Sequence, residues 1–184
     1  MRHATAITIA LLIAQTFILS GCAATRGQTQ ARSAGNFIDD SRIERLVRRE
    51  IRRADPSLNR AHVSVVSYNG VVLVLGQVDN ERLKLQATQA ATRIRKATKI
   101  HNEMEVSGPI SRVARTNDTW LTSKVKTRLL ARRDIRGGRI KVVTENSVVY
   151  LMGLTTRTHA DRAVEVARNV FGVQKIVKVF EYTS

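Results

Sequence analysis

Ser64 to Val78 reads SVVSYNGVVLVLGQV, and 77 residues further on Lys141 to Thr155 reads KVVTENSVVYLMGLT. Val65/Val142, Val66/Val143, Asn69/Asn146, Val71/Val148, Val72/Val149 and Gly76/Gly153 are identical. In the first copy Asn69-Gly70 separates two β-rich runs, the strongest short signal for a type I′ hairpin, because both central residues must take positive φ. The second copy has Ser147 in place of the glycine, and its turn is expected to differ. Upstream, at an offset of 78, Asp40, Ile43, Val47 and Ile51 meet Asp118, Leu121, Val125 and Leu129; downstream, at 76, Lys99-Ile100 meets Lys175-Ile176. Offsets drifting by one residue place small indels in loops or helix ends. Two copies, 39–107 and 117–184, joined by a linker 108–116, therefore fill most of the chain.

Each copy reads as αββαβ. In copy one, Asp40 or Ser41 caps a helix with Ile43, Val47 and Ile51 at helical spacing, ended by Asp55-Pro56. Strands 63–68 and 71–77 follow, then a helix started by Asp79 or Asn80 with Leu83, Ala87, Ala90 and Ile94 on one face. A third strand alternates through Ile100, Asn102, Met104 and Val106. Copy two predicts helix 118–132, strands 139–144 and 148–153, helix 157–171 and strand 174–182. The fold class is α+β: in each copy a three-stranded mixed sheet carries two helices on one face. Gly76 and Gly153, at strand ends, mark a bulge or close packing.

The N-terminus has a different character. Arg2 and His3 precede an apolar run from Ala6 to Leu19, too short for a stable span and laid out as a secretory signal peptide, residues 1–21. It ends in Leu19-Ser20-Gly21-Cys22, and Cys22 is the only cysteine. This resembles the lipobox of bacterial lipoproteins, which implies cleavage before Cys22 and its acylation. Each buried methylene contributes ~0.8 kcal/mol, so several acyl chains hold the protein permanently. Ala23 and Ala24 follow instead of the aspartate that retains such proteins in the inner membrane. The resemblance thus implies the periplasmic face of the outer membrane. Residues 22–38 have no apolar period and read as a lipidated tether; as a flexible coil its sixteen residues after the cysteine reach ~20–24 Å.

The element order, the hairpins ending in Gly76 and Gly153, and the Ile100-x-Asn102-x-Met104 strand resemble the BON domain. So do Asn117-Asp118-Thr119-Trp120-Leu121-Thr122-Ser123-Lys124-Val125-Lys126, Thr144-Glu145-Asn146 and Leu151-Met152-Gly153-Leu154. With the lipobox, the chain is similar to dual-BON outer-membrane lipoproteins. That resemblance implies a non-catalytic protein that supports outer-membrane integrity, with a division-site role, and binds anionic phospholipid through the first helix of its second BON domain.

The residues themselves point the same way. The chain carries 31 Lys/Arg against 15 Asp/Glu, net +16. Copy one is net +4 and copy two net +7, so partners should be polyanionic surfaces. For a tethered chain the nearest is lipid, where each Lys or Arg contributes ~1 kcal/mol within a Debye length of ~8–10 Å. On helix 118–132 the stripe Leu121, Val125 and Leu129 faces inward, leaving Lys124, Lys126, Arg128 and Arg132 outside, opposed only by Asp118 at the cap. Trp120 lies one step off that stripe, where copy one has Arg42, and Trp favours membrane interfaces. The competing reading places it half-buried against its own domain. The expected lipid-binding set is Trp120, Leu121, Lys124, Lys126, Thr127, Arg128 and Arg132, with phosphatidylglycerol or cardiolipin as ligand. Arg42, Arg45, Arg48, Arg49, Arg52 and Arg53 of copy one read as a solvated face tempered by Glu44 and Glu50, with Glu44 pairing with Arg48; contact with a lipopolysaccharide phosphate is the alternative.

The central strands are apolar on both faces: Val71, Leu73 and Leu75 alternate with Val72 and Val74, and copy two repeats this. Strands buried on both sides read so. The expected cover is the other domain, sheet against sheet, with a homodimer or an envelope protein as alternatives. His62, His101 and His159 are scattered, the carboxylates Glu103 and Glu105 alternate on a strand, and Gly137-Gly138 lacks the Lys-Ser/Thr of a phosphate loop. No enzyme, cofactor or metal is therefore expected. Nucleic acid is disfavoured by the export signal and by the absence of an aromatic row for base stacking. The expected protein is a monomer; the alternative function is a periplasmic adaptor for envelope assembly or septal peptidoglycan remodelling.

Overall fold

The computed structural model of the protein describes residues 34–183; the signal segment 1–21, Cys22 and the tether up to residue 33 lie outside them. Helix α1 (Ala34–Ala54) buries Ile43, Val47 and Ile51. It begins well before the expected cap, so residues 34–38 are helix rather than tether, and Asp40 sits within it. Asp55 then caps the short α2 (Pro56–Arg60): its side chain accepts from the Ser57 amide, with proline in the first turn, where its missing N–H goes unneeded. That bond, chiefly, and the nearby Arg82 hold the Asp55 carboxyl below its ordinary pKa.

Strands β1 (Val63–Tyr68) and β2 (Val71–Val78) pair antiparallel, and α3 (Glu81–Thr92) starts at Asn80, whose side chain accepts from the Leu83 amide. The third strand is broken into β3 (Lys99–Asn102) and β4 (Glu105–Val106), both parallel to β2. Asn102 causes the break. Its side chain accepts from the Met104 amide at 3.1 Å and donates to the Lys84 carbonyl and Thr88 hydroxyl at 2.8 and 2.7 Å. The edge is thereby pinned to α3, and Met104 turns into the core.

In the second copy Ser111 caps α4 (Arg112–Ala131), so the helix takes up much of the expected linker 108–116. A single 3₁₀ turn at Gly137–Arg139 leads to β5 (Lys141–Glu145) and β6 (Val148–Thr155). Then α5 (Arg157–Arg168) ends before the expected 171, and β7 (Lys175–Tyr182) runs unbroken and parallel beside β6. The α+β class and the mixed three-strand order hold in both copies.

Asp40 and Asp118 do not cap helices. Both are buried one turn or more inside theirs, and each carboxylate reaches across to the hairpin of its own copy. Asp40 accepts from the Asn69 and Gly70 amides at 2.9 Å each and from the Ser67 hydroxyl at 2.7 Å. Asp118 accepts from the Asn146 and Ser147 amides at 2.8 and 2.9 Å. The two turns share one geometry despite Ser147: φ is 53° and 81° at Asn69 and Gly70, and 51° and 62° at Asn146 and Ser147. Gly76 is forced by close approach, since a Cβ there would collide with the His62 carbonyl oxygen of the neighbouring strand's entry.

Alternate residues of β2 and β6 feed different cores. Val72, Val74 and Val78 pack under α1 and α3, and Val149 and Leu151 under α4 and α5. Their neighbours Val71, Leu73 and Leu75 meet Tyr150, Met152 and Val179 in a third core, so the two sheets cover each other as the continuous apolar runs require. Polar contacts rim this interface reciprocally. Asn69 Nδ2 donates to Glu181 at 3.0 Å, and its repeat partner Asn146 Nδ2 donates to Glu105 at 3.1 Å. Such exchange is the mark of an interface with internal two-fold character.

Candidate functional site: the outer face of helix α4

The register of α4 is set by its inner side, where Asp118, Leu121, Val125 and Leu129 are buried. At 100° per residue the opposite side carries Val113, Trp120, Lys124, Thr127 and Leu130. Val113 is 79% exposed, Leu130 56% and Trp120 49%. The indole is therefore neither sealed in the core nor fully free: Lys124 Nζ sits 3.4 Å from its ring centroid, a cation–π contact that holds the ring against the helix with one face outward. Lys126 and Thr127 are exposed and make no hydrogen bond or ion pair among the described residues.

The expected set divides on inspection. Leu121 is fully buried under the Gly172 turn and belongs to the core, so it is withdrawn from the surface set. Arg128 Nη1 donates to the Asn169 carbonyl at 2.6 Å, which ties one of its five N–H donors to the end of α5. Arg132 grips Asp134 with two parallel bonds of 2.8 Å each, and this pairing holds the Asp134 carboxyl at a pKa of about 2. Its charge is thus largely neutralised locally. Trp120, Lys124, Lys126 and Thr127 remain on the outer face, and Arg128 is exposed beside them with its charge unpaired among the described residues.

Sequence reasoning missed Phe171, which is 87% exposed. Reading α5 through residue 171 hid it in a helix, whereas the chain turns at Asn169 and Gly172, with φ of 99° at the glycine. Two contacts clamp that turn to α4: the Arg128 bond to Asn169, and Gly172 lying so near Leu121 that a Cβ would meet its Cδ2 at 2.9 Å. Phe171 therefore projects into solvent from a turn that is held against α4. Val113 was missed because the helix was expected to start later, and Leu130 is exposed although it adjoins the buried Leu129.

Elsewhere the chemistry is sparse. Among the described residues no three His, Cys, Asp or Glu side chains gather as a metal site. His101 is held below its ordinary pKa by burial first and by Lys99 second. A cleft of about 410 Å³ at the domain junction includes Gln77, His62 and Arg115; Gln77 Nε2 donates to Glu145 at 2.8 Å, while Gln77 Oε1 and Arg115 Nε find no partner. No described helix is long and apolar enough to cross a membrane.

Comparison with known proteins agrees with this architecture. The BON domain profile matches residues 39–108 and 117–184. The chain is 33% identical over 183 residues to the outer membrane lipoprotein DolP of Haemophilus influenzae, covering 95% of each chain. It is 36% identical over 151 residues to a 21 kDa hemolysin of Actinobacillus pleuropneumoniae, covering 82% of this chain and 78% of that one. With the osmotically-inducible protein Y of Escherichia coli it shares 29% identity over 147 residues, 77% of this chain and 72% of the other.

Proposed function

Because the chain belongs to the BON-domain family, we propose that it is a non-catalytic outer-membrane lipoprotein, anchored through Cys22 toward the periplasm, that supports membrane integrity by laying the outer face of α4 on anionic phospholipid. One observation carries the reading: a half-exposed indole with an ammonium over its ring, on a helix that also exposes Leu130. The fold does not require this arrangement, because the equivalent of Trp120 in the first copy is Arg42. Trp and Phe settle at headgroup depth, where an apolar ring and a polar edge are both satisfied. Lys124 and Lys126 supply the attraction to phosphate, at about 1 kcal/mol each near an anionic surface. The acyl anchor keeps the protein at the bilayer, so α4 needs only modest intrinsic affinity. Placement at division sites would follow from enrichment of anionic lipid there.

The test uses residues 31–184, which carry both domains and their shared core but not the anchor. Pelleting with phosphatidylglycerol or cardiolipin vesicles should exceed that with phosphatidylcholine, and added salt should weaken it. An aromatic of this class buries 150–250 Å², so the exposed half of Trp120 removes roughly 100 Å² from water on insertion. At about 25 cal/mol per Å² that is ~2.5 kcal/mol, and Trp120→Ala should weaken partitioning roughly 30- to 100-fold. Phe171→Ser should weaken it by a similar order. Equal binding to anionic and neutral vesicles, with Trp120 emission unmoved, would sink the reading.

A further inference from the structure

The same face of the first helix carries different chemistry. Arg45, Arg48, Arg49, Arg52 and Arg53 of α1, with Asn59 of α2, line an open groove of about 440 Å³ whose walls include no carboxylate. Glu44, expected to neutralise Arg48, is drawn to the opposite side. Its Oε1 accepts from the Ser67 amide at 2.8 Å and from Lys141 Nζ of the second domain at 3.0 Å. Arg48 turns to the Val65 carbonyl at 3.2 Å, and among the described residues Glu50 meets only Arg53, at 3.4 Å. Arg45, Arg49 and Arg52 are exposed and make no hydrogen bond or ion pair among the described residues.

Like charges spaced three and four apart on a helix repel, so this row weakens α1 in the free protein. Nor does the fold demand it. The positions matching Arg45, Arg49, Arg52 and Arg53 in the second copy are Ser123, Thr127, Leu130 and Ala131, all uncharged, on a helix packed the same way.

We propose that this groove is a second anion site, separate from α4, for a ligand carrying two or more phosphate groups. The donor count selects the class. Each guanidinium offers five N–H donors in a fixed fork, whereas a carboxylate presents about four acceptor sites, so three free forks side by side exceed what one carboxylate can use. Clustered phosphates accept several forks at once, and Arg matches them bidentately where Lys would act as a point charge.

The experiment titrates isotope-labelled 31–184 with inorganic pyrophosphate, following the arginine Nε–H signals, and repeats binding with vesicles containing phosphatidic acid. The comparison proteins are Arg45→Gln/Arg49→Gln/Arg52→Gln, exposed changes that should hold or raise the melting temperature by relieving the repulsion along α1, and Trp120→Ala, which disables α4. Pyrophosphate should shift Arg45, Arg49 and Arg52 selectively, and the triple change should weaken binding at least ten-fold while Trp120→Ala leaves it unchanged. Phosphatidic acid vesicles that still bind Trp120→Ala but lose it with the triple change assign the phosphates to lipid; pyrophosphate binding without vesicle binding assigns them to a soluble ligand. Shifts spread over Arg93, Arg95, Arg133 and Arg136 alike, or a triple variant that binds as well as the parent, would overturn the proposal. Failure of Trp120→Ala to affect phosphatidylglycerol binding would instead strike the α4 reading and leave this one standing.

Discussion

Leu73→Ala tests whether the two BON domains are one cooperative body. Leu73 is fully buried, on the side of β2 that faces the second domain, among Tyr150, Met152 and Val179. Removing a buried leucine side chain costs about 2–5 kcal/mol, the spread reflecting how far the cavity collapses. With a urea dependence of ~2 kcal/mol per molar, the unfolding midpoint should fall by roughly 1–2.5 M. Trp120 makes the assay decisive. It is the only tryptophan and sits in the second domain, on the far side of that domain's own core from Leu73. If the shared core couples the domains, Trp120 emission and far-ultraviolet circular dichroism should report one transition, displaced equally by this first-domain change. A Trp120 transition left in place while part of the dichroism signal melts early would refute the reasoning, because the domains would then unfold separately. Met152→Ala, in the same cluster from the other side, should combine with Leu73→Ala non-additively, by 0.5–3 kcal/mol.

Two other outcomes follow from the same contacts. Ser147 holds φ 62° where the first copy has Gly70. A left-handed non-glycine costs about 1–2 kcal/mol and glycine gives back part of that in chain entropy, so Ser147→Gly should stabilise by up to about 1 kcal/mol in urea melts. Tyr150 is buried in the shared core, and burial first, then Glu103, Glu105 and Glu145, pushes its hydroxyl above the ordinary tyrosine range. A folded-state pKa raised above the unfolded value of ~10 gives a contribution that is intact below pH ~10 and lost as pH rises further. Denaturation midpoints should therefore fall above pH ~10 in the parent and fall less in Tyr150→Phe; equal slopes would contradict the assignment.

The hairpins, the duplication and the need for two-sided burial were legible because each is a local pattern. Asn69-Gly70 announces its turn, and Val71 to Leu75 leaves no polar side for solvent. What escaped reading depended on partners distant in sequence. An aspartate near a helix start looks like a cap; only the packed fold reveals that Asp40 and Asp118 turn across to the hairpins. Glu44 sits at the right spacing to pair with Arg48, yet a stronger set of donors, the Ser67 amide and Lys141, takes it. Asn102 alternates correctly as a strand residue, but its side-chain bonds to α3 and to Met104 break the strand there. On α4, spacing separated inner from outer residues well enough to locate Trp120 and Lys124. It said nothing of which exterior arginines were already engaged, and the early end of α5 kept Phe171 out of view.

The duplication accounts for why both proposed sites lie on helices. Each sheet gives one face to its own helices and the other to the opposite sheet, so neither can accept a ligand on its surface without opening a core. The carboxylates Asp40 and Asp118 fix α1 and α4 to the hairpins in the same way, which sets the same residues outward in both copies. Residues on those outer faces are free of the packing that constrains the rest, and there the copies diverge most: Arg42 against Trp120, Arg49 against Thr127, Arg52 against Leu130. One exterior thus pairs apolar groups with a few lysines, suited to the depth of a headgroup layer. The other is a row of guanidiniums that leaves Arg45, Arg49 and Arg52 without a partner among the described residues, the arrangement the proposed phosphate site uses. If the duplicated scaffold served a single ligand, the two helices would have no physical reason to differ in this direction, since either exterior is compatible with the packing beneath it.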